Sequence, residues 1–180
     1  MEYSITNLNE VRNELINNWN RINPKYVFPT PPTHNISGFS LEDEFDSNFP
    51  HTQRVINEIR AGDKTYHLRL FIYPPNTRTT FHKDIPEFRY VVPIVSNELC
   101  LNYEITTNFT NQEEMTPLFF KIKTNEELEE FNNKFTNDGN KIYRMQDNYS
   151  NLIGPNSHAH LNFGDTTRIV IVYDYKNKLI

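Results

Sequence analysis

Beyond Gly62 the sequence consists of short, closely spaced segments that are rich in β-branched and aromatic residues. Such segments, bounded by Pro, Asn and Asp, are typical of β-strands joined by short turns. We predict strands over residues 65–73, 77–82, 88–95, 99–107, 117–123, 141–145, 158–162 and 168–175. Many short strands preceded by helices indicate a mainly β fold with helices packed on its outside, and a jelly roll of two sheets is the expected architecture.

The first 62 residues have a different pattern, with apolar residues at helical spacing. We predict one helix over about 7–19 and a second from Pro50 to just before Gly62. Between them, the proline-rich residues 24–35 predict an extended connection, and the acidic residues 42–46 predict a solvated loop.

A third helix is expected to begin at Thr124, where Glu127 completes a capping box, and to end at Gly139. No internal repeat or linker interrupts the 180 residues. The length therefore predicts a single domain, in which helices within about 1–62 pack on a jelly roll of about 63–180.

Composition excludes several classes of function. The net charge of −5 argues against nucleic acid as the main partner, because phosphate binding needs a basic surface. Cys100 is the single cysteine, so no internal disulfide can form and a reducing compartment is expected. Without a leader pattern or a long apolar run, we expect a cytoplasmic protein that does not enter a membrane.

A possible metal site lies in the segment Thr80-Phe81-His82-Lys83-Asp84. On a strand, positions i and i+2 share a face, so His82 and Asp84 can converge on one point. With a histidine from a distant strand they would form a two-His-one-carboxylate triad, which leaves positions open for a co-substrate and dioxygen and favours Fe(II). A His-x-Asp pair alone also occurs by chance.

The distal histidine is expected in the segment that precedes the last strand. That segment contains His158 and His160, and Arg168 follows His158 by ten residues. An arginine beside an Fe(II) site suits 2-oxoglutarate, because its planar guanidinium can bind the distal carboxylate through two hydrogen bonds. The alternative for Arg168 is an ordinary surface arginine of a strand.

Together these residues resemble the aspartyl/asparaginyl β-hydroxylase family of Fe(II)/2-oxoglutarate-dependent dioxygenases. The resemblance covers roughly residues 66–175 and is carried by His82-x-Asp84, Arg89-Tyr90-x-x-Pro93-Ile94-x-Ser96-Asn97, His158-x-x-x-Asn162, Arg168, and Pro75 seven residues before His82. It implies a double-stranded β-helix, which is a cupin-like jelly roll. It also implies that His82, Asp84 and His158 bind Fe(II) and that Arg168 holds the C5 carboxylate of 2-oxoglutarate.

The activity that the resemblance implies is hydroxylation of an unactivated C–H bond with dioxygen. The substrate could be an amino acid, a small metabolite, or a side chain of a peptide or protein. Arg89 is a candidate for binding a substrate carboxylate or the second end of 2-oxoglutarate. Tyr66 and Tyr90 could cover the mouth of the site together with the loop 29–40, but we favour ordinary packing for these residues.

The sequence departs from the family pattern at two places. The family commonly has Arg-x-His where this chain has Arg89-Tyr90-Val91, so a histidine that helps to bind the C1 end of the co-substrate is missing. His160 is an extra histidine on the same face as His158. We assign His158 as the ligand, because only His158 has Asn162 and Arg168 at the family spacing, and we expect His160 and Asn162 to contact substrate or the ligands.

Two alternatives remain open from the sequence. A cupin-like metalloenzyme could use His82, His158 and His160 without 2-oxoglutarate, and would have no need of Arg168. A jelly-roll binding or structural module without catalytic activity would have no need of the metal.

Overall fold

The computed structural model describes residues 8–28, 35–62, 65–84, 89–145, 147 and 151–175. The helices of this described part are α1 (Leu8–Ile16), α2 (Pro50–Gly62), α3 (Gln112–Lys121) and α4 (Asn125–Asn137). Its strands are β1 (Val27–Phe28), β2 (Ser37–Ser40), β3 (Thr65–Tyr73), β4 (Thr77–Arg78), β5 (Arg89–Val95), β6 (Cys100–Glu104), β7 (Lys141–Tyr143), β8 (Asn151–Ile153), β9 (His158–Asn162) and β10 (Arg168–Tyr175). None of the helices in this part is long and apolar enough to cross a membrane.

The strands form two antiparallel sheets. The larger sheet has six strands in the order β1-β2-β3-β10-β5-β8, and the smaller has four in the order β4-β9-β6-β7. The last strand of the chain, β10, lies between β3 and β5 in the larger sheet. This arrangement is a jelly roll, and it confirms the predicted double-stranded β-helix.

The larger sheet separates two environments because successive side chains of a strand point to opposite faces. On one face, Ile169 and Ile171 of β10 belong to a core that includes Val11 of α1 and Ile56 of α2. On the other face, Arg168, Val170, Val172 and Asp174 point toward the smaller sheet. The helices thus seal the outside of the larger sheet, and its inner face forms one wall of the candidate site.

The strand predicted over 117–123 is wrong, since those residues belong mostly to helix α3. Asn111 caps this helix by accepting a hydrogen bond from the backbone N–H of Glu113. Met115 and Phe119, four residues apart, are both buried. Phe119 packs against Phe81, in the segment after β4. Helical spacing of the buried side chains therefore overrode the local preference of the aromatic residues for a strand.

Other predicted elements agree closely or differ in their ends. The capping box of α4 is confirmed, with Thr124 and Glu127 exchanging both hydrogen bonds. Helix α1 ends at Ile16, and strands β2 and β8 join the larger sheet although the sequence did not indicate them. The extended connection is described in part: residues 24–26 form a 3-10 turn, β1 pairs with β2 at the sheet edge, and residues 29–34 lie outside the described part.

The acidic segment is less solvated than predicted. Asp46 is buried, where its carboxylate accepts hydrogen bonds from the backbone N–H groups of Asn23 and Asn48, at 2.8 and 3.0 Å. Burial alone would raise the pKa of Asp46, but these hydrogen bonds hold it below its ordinary value.

Candidate metal centre

His82 and His158 lie opposite each other in an antiparallel bridge between the segment after β4 and strand β9. The N–H of each donates to the carbonyl oxygen of the other, at 2.9 and 2.8 Å, and the ring centroids are 4.6 Å apart. Asp84 follows His82 by two residues and extends to the same point. Its Oδ1 lies 3.8 Å from Nε2 of His82, and its Oδ2 lies 3.2 Å from Nε2 of His158. Ligand atoms of the three residues all lie within 4.8 Å of one another, so together they could hold a metal ion.

The ring orientation of both histidines suits metal binding. Nδ1 of His82 lies 2.8 Å from the carbonyl oxygen of Thr80, and Nδ1 of His158 lies 3.1 Å from that of Asn156. Because a carbonyl only accepts, each Nδ1 carries the hydrogen and each Nε2 presents a lone pair when the ring is neutral. Burial lowers the pKa of His82, with a further contribution from His158, which favours the neutral ring that a metal requires.

The cluster leaves two buried atoms unsatisfied. Nε2 of His158 and Oδ2 of Asp84 have no hydrogen-bond partner in the described part of the chain, although they face each other. A lone pair and a carboxylate oxygen at this distance repel each other unless a proton or a metal ion lies between them, and unpaired buried polar atoms are costly. The donor set of two imidazoles and one carboxylate therefore fits a divalent transition metal such as Fe(II).

Arg89 connects Asp84 to a second buried carboxylate, that of Asp174. The guanidinium donates from Nε and Nη2 to the two oxygens of Asp174, at 2.7 and 3.2 Å, and from Nη1 to Oδ1 of Asp84. Burial alone would lower the pKa of Arg89, but Asp174 and Asp84 raise it. Burial likewise would raise the pKa of Asp84, and the neighbouring His158 and Arg89 hold it below its ordinary value.

A cavity of about 320 Å³ lies between the two sheets beside this cluster. The residues that line it are Ile36, Phe71, Tyr73, Thr79, Thr80, His82, Arg89, Val91, His160, Arg168, Val170 and Val172. Val91, at the position where the family commonly has histidine, contributes to an apolar wall with Val170 and Val172. A cavity with apolar walls and a few polar groups is typical of small-molecule sites.

Arg168 is buried in this cavity with only 2% of its surface exposed. Its Nη2 donates to Oδ1 of Asn102 at 3.2 Å, and its guanidinium carbon lies 5.4 Å from the ring centroid of Tyr73. Nε and Nη1 have no hydrogen-bond partner among the described residues. A buried guanidinium with two free donors beside a cavity can bind a carboxylate, and this geometry excludes the alternative of a surface arginine.

His160, a further candidate from the sequence analysis, lies beside the cavity but not among the metal ligands. His160 lines the cavity, but its Nδ1 donates to Oδ1 of Asn102 at 2.7 Å, and the residue lies outside the ligand cluster. Burial lowers the pKa of His160 well below its ordinary value, so its ring is neutral. Oδ1 of Asn102 thus accepts from both His160 and Arg168.

Asn162 and Tyr90 lie away from the cavity. The amide of Asn162 donates to the carbonyl oxygens of Tyr73, Pro74 and Thr166, at 2.9, 3.0 and 2.8 Å, and thereby fastens the turn between β9 and β10. Tyr90 stacks on Tyr173, with ring centroids 5.2 Å apart, on the helix-covered face of the larger sheet. The side chain of Tyr66 lies outside the described residues.

Asp174 and Asn102 were not indicated by the sequence analysis. The sequence does contain one indication of Asp174. It is an acidic residue within an apolar strand, and it lies on the same strand face as Arg168 because the two are an even number of residues apart. Asn102 had none, because a single asparagine in a strand of an asparagine-rich chain does not stand out.

No protein-family model matches the sequence, and no curated protein matches it at a significant level. Among solved structures, a prolyl-4-hydroxylase from Pseudomonas putida is similar, with a TM-score of 0.54 and 9% identity over 98% of this chain and 92% of that chain. A 2OG-Fe(II) oxygenase-family oxidoreductase from Burkholderia pseudomallei has a TM-score of 0.48 at 10% identity, covering 82% and 71% of the two chains. A cupin domain from Bordetella pertussis has a TM-score of 0.38 at 14% identity, covering 63% and 84%.

The similarity to the Pseudomonas structure extends over almost the whole of both chains and agrees with the double-stranded β-helix described above. At this identity the similarity defines the fold alone.

Proposed function

We propose that the protein is an Fe(II)/2-oxoglutarate-dependent oxygenase that hydroxylates an unactivated C–H bond, of the aspartyl/asparaginyl β-hydroxylase type. The observation that carries this proposal is the pairing of two groups beside one cavity. His82 of the His-Asp-His cluster and the buried Arg168 both line it, and each group has atoms that lack a partner in the described part of the chain. The His-Asp-His cluster can bind a cation and Arg168 can bind an anion. Fe(II) and 2-oxoglutarate would satisfy both.

In the proposed enzyme, Nε2 of His82, Nε2 of His158 and a carboxylate oxygen of Asp84 hold the iron. Iron bound in this way supplies the activation of dioxygen and the oxidation of the C–H bond. The protein contributes the neutral ring tautomers, fixed by the carbonyl oxygens of Thr80 and Asn156. A set of three protein ligands would leave coordination positions for the co-substrate and dioxygen.

Arg168 holds the C5 carboxylate of 2-oxoglutarate through Nη1, a free donor on the terminal edge of its guanidinium. Asn102 keeps the guanidinium in place by accepting from Nη2. The apolar side chains of Val91, Val170 and Val172 exclude water from the middle of the cavity, which strengthens the ion pair at Arg168. The substrate we propose is an amino acid, a small metabolite or a protein side chain.

The experiment that tests this function measures metal binding and co-substrate turnover in the same preparation. Under anaerobic conditions the protein should bind one Fe(II) or Mn(II) per chain, and the His82→Ala variant should lose most of the affinity. On admission of air, the iron-loaded protein should convert 2-oxoglutarate slowly to succinate even without a substrate. Wild-type protein that binds iron yet neither binds nor consumes 2-oxoglutarate would refute the dioxygenase proposal.

One observation favours a second candidate. His160 lines the same cavity, with its ring centroid 5.3 Å from that of His158 and 6.4 Å from that of His82. A cupin-like metalloenzyme could use it as a further ligand and would not need 2-oxoglutarate. Iron binding without any affinity for 2-oxoglutarate, lost in a His160→Ala variant, would support this candidate. A protein that binds no metal at all would instead be a jelly-roll binding module.

A further inference from the structure

We propose that Asp174 is a positioning residue for the metal site and acts on Asp84 through Arg89. This inference rests on the proposed function, because it takes Asp84 as a ligand of the metal. It concerns a residue that is separated from Asp84 by the guanidinium and does not line the cavity.

The three side chains form a continuous, largely buried chain of ion pairs. Asp174 is 3% exposed on β10 and lies directly opposite Arg89 of β5 in the sheet register. Both oxygens of Asp174 accept from Arg89, at 2.7 and 3.2 Å, so the plane of the guanidinium is fixed. The remaining terminal nitrogen, Nη1, donates to Oδ1 of Asp84.

The first consequence is the orientation of the Asp84 carboxylate. Arg89 occupies Oδ1, while Oδ2 is left without a hydrogen-bond partner and faces Nε2 of His158 at 3.2 Å. One oxygen is thereby held by the protein and the other is presented to the metal. Asp174 determines which oxygen of Asp84 is held. It fixes the guanidinium of Arg89 through Nε and Nη2, so that Nη1 is directed toward Oδ1 of Asp84.

The second consequence is the charge at the metal site. If Arg89 were the only charged neighbour of Asp84, its positive charge would neutralise the negative charge of this ligand and would repel a divalent cation. Asp174 supplies the second negative charge, so that two carboxylates and one guanidinium leave the group with a net charge of −1. Electrostatic attraction for a divalent cation is retained, although a guanidinium contacts the ligand.

A third consequence concerns Arg89, which the sequence suggested as a binding group for a carboxylate of the substrate or co-substrate. Its Nε, Nη1 and Nη2 each donate to a carboxylate of the protein itself. Arg89 therefore binds Asp84 and Asp174 and has no donor nitrogen left for an external carboxylate. The cavity donors without a partner among the described residues belong to Arg168.

The test compares Mn(II) affinity in three full-length proteins: wild type, Asp174→Asn and Asp46→Asn. Asparagine keeps the shape of Asp174 but removes its charge and faces Nη2 of Arg89 with an amide. We expect the Mn(II) dissociation constant to rise 10- to 100-fold, as is typical for changes beside a metal ligand. Asp46 is a matched control, since it is also a buried, hydrogen-bonded aspartate, but its partners are Asn23 and Asn48 and not Arg89. Asp46→Asn should affect unfolding and leave Mn(II) affinity within threefold of wild type.

Two further variants distinguish positioning from a general structural role. Asp174→Glu retains the charge and should bind Mn(II) more tightly than Asp174→Asn. Arg89→Lys keeps a cation but loses the planar fork, and should lose at least 10-fold in affinity; it also serves as the test if Asp174→Asn does not fold.

The possible failures are distinguishable. Wild-type protein without affinity for Mn(II) or Fe(II) would overturn the proposed function and this inference with it. Wild-type affinity retained in a folded Asp174→Asn or Arg89→Lys variant, while Asp84→Asn loses it, would overturn the inference alone. A lowered unfolding temperature with unchanged Mn(II) affinity would assign Asp174 a purely structural role.

Discussion

His158 and His160 lie on one face of β9, but their Nδ1 atoms donate to different acceptors. His158 donates to a backbone carbonyl oxygen and directs Nε2 toward Asp84. His160 donates to the side chain of Asn102, which also accepts from Arg168. The first arrangement belongs to the candidate metal cluster and the second to the proposed anion site. The sequence alone could only rank them by spacing, since residues i and i+2 share a face.

This difference predicts how the two positions respond to substitution. His158→Ala should abolish binding of Fe(II) or Mn(II), because it removes a ligand from a three-residue set. His160→Ala should weaken metal binding by at most about 10- to 100-fold, as expected for a neighbour of a ligand. Metal titration of both variants decides between them, and the reverse ranking would assign His160 as the ligand.

Arg168 carries the prediction that defines the reaction class. Arg168→Lys retains the charge but cannot present two parallel donors, so 2-oxoglutarate binding should weaken by about 1–3 kcal/mol. Mn(II) affinity should stay nearly unchanged, because Arg168 does not contact the cluster. Turnover of 2-oxoglutarate to succinate should fall in parallel.

Arg144 offers a matched control for this substitution. It is exposed and forms an ion pair with Asp147 at 3.7 Å, so Arg144→Lys should leave both binding constants unchanged. If Arg168→Lys behaved like Arg144→Lys, the carboxylate of the co-substrate would not lie at Arg168.

At the scale of whole elements, helix α1 provides the N-terminal cap of helix α2. The carboxylate of Glu14 accepts from the backbone N–H groups of His51 and Thr52, at 3.1 and 2.7 Å, and from the hydroxyl of Thr52 at 2.6 Å. These are amide groups that have no partner within the helix itself. A negative charge at this end of the helix also interacts favourably with the helix dipole. Glu14 thus fixes the two helices relative to each other on the outside of the sheet.

Glu14→Ala should lower the free energy of unfolding by about 1–3 kcal/mol, since it removes a charged cap and leaves partly buried donors unpaired. Chemical denaturation measured by circular dichroism gives this value. Glu58→Ala is the control, because Glu58 makes an exposed pair with Arg54 within α2 and its loss should cost at most about 0.5 kcal/mol. Equal effects of the two substitutions would mean that the cap contributes nothing beyond a surface ion pair.

The elements also show which parts of the fold the sequence could predict. Helix α4 carries its own signals, namely a capping box at Thr124 and a glycine, Gly139, whose backbone adopts a positive φ of 81° just beyond the helix. Helix α3 contains Pro117 and a run of aromatic residues, which locally favour other structures. Its helical form depends on the cluster that Phe119 joins with Phe81, and such a contact between distant segments cannot be read from a local pattern.

At the scale of the whole molecule, the candidate centre connects the two sheets. His158 belongs to the smaller sheet and His82 is bridged to it, whereas Arg89 and Asp174 belong to the larger sheet. Asp84 contacts both groups. His82, Asp84, His158 and Arg168 could each be identified from their spacing along the chain, and the structure brings the first three together. The pairing of Asp174 with Arg89 depends on the register of β5 and β10, which is a property of the assembled sheet.

A metal at this position should therefore stabilise the whole fold as well as the site. A ligand that binds only the folded state adds a free energy that grows with its concentration, about 2.7 kcal/mol at one hundred times the dissociation constant. For a chain of this length, such a gain raises the unfolding temperature by roughly 5–10 °C. Anaerobic Fe(II), or Mn(II), should produce this shift in calorimetry, and excess chelator should reverse it.

His82→Ala separates this specific effect from general binding of cations to the acidic surface. In that variant the cluster has lost a ligand while the net charge at neutral pH is unchanged, so Mn(II) at the same concentration should leave the unfolding temperature within about 1 °C of the metal-free value. Asp174→Asn should show an intermediate shift, since its weaker affinity reduces the free energy gained at a fixed metal concentration. A shift of equal size in wild type and in His82→Ala would place the stabilising ion elsewhere on the molecule and would contradict the assignment of the three ligands.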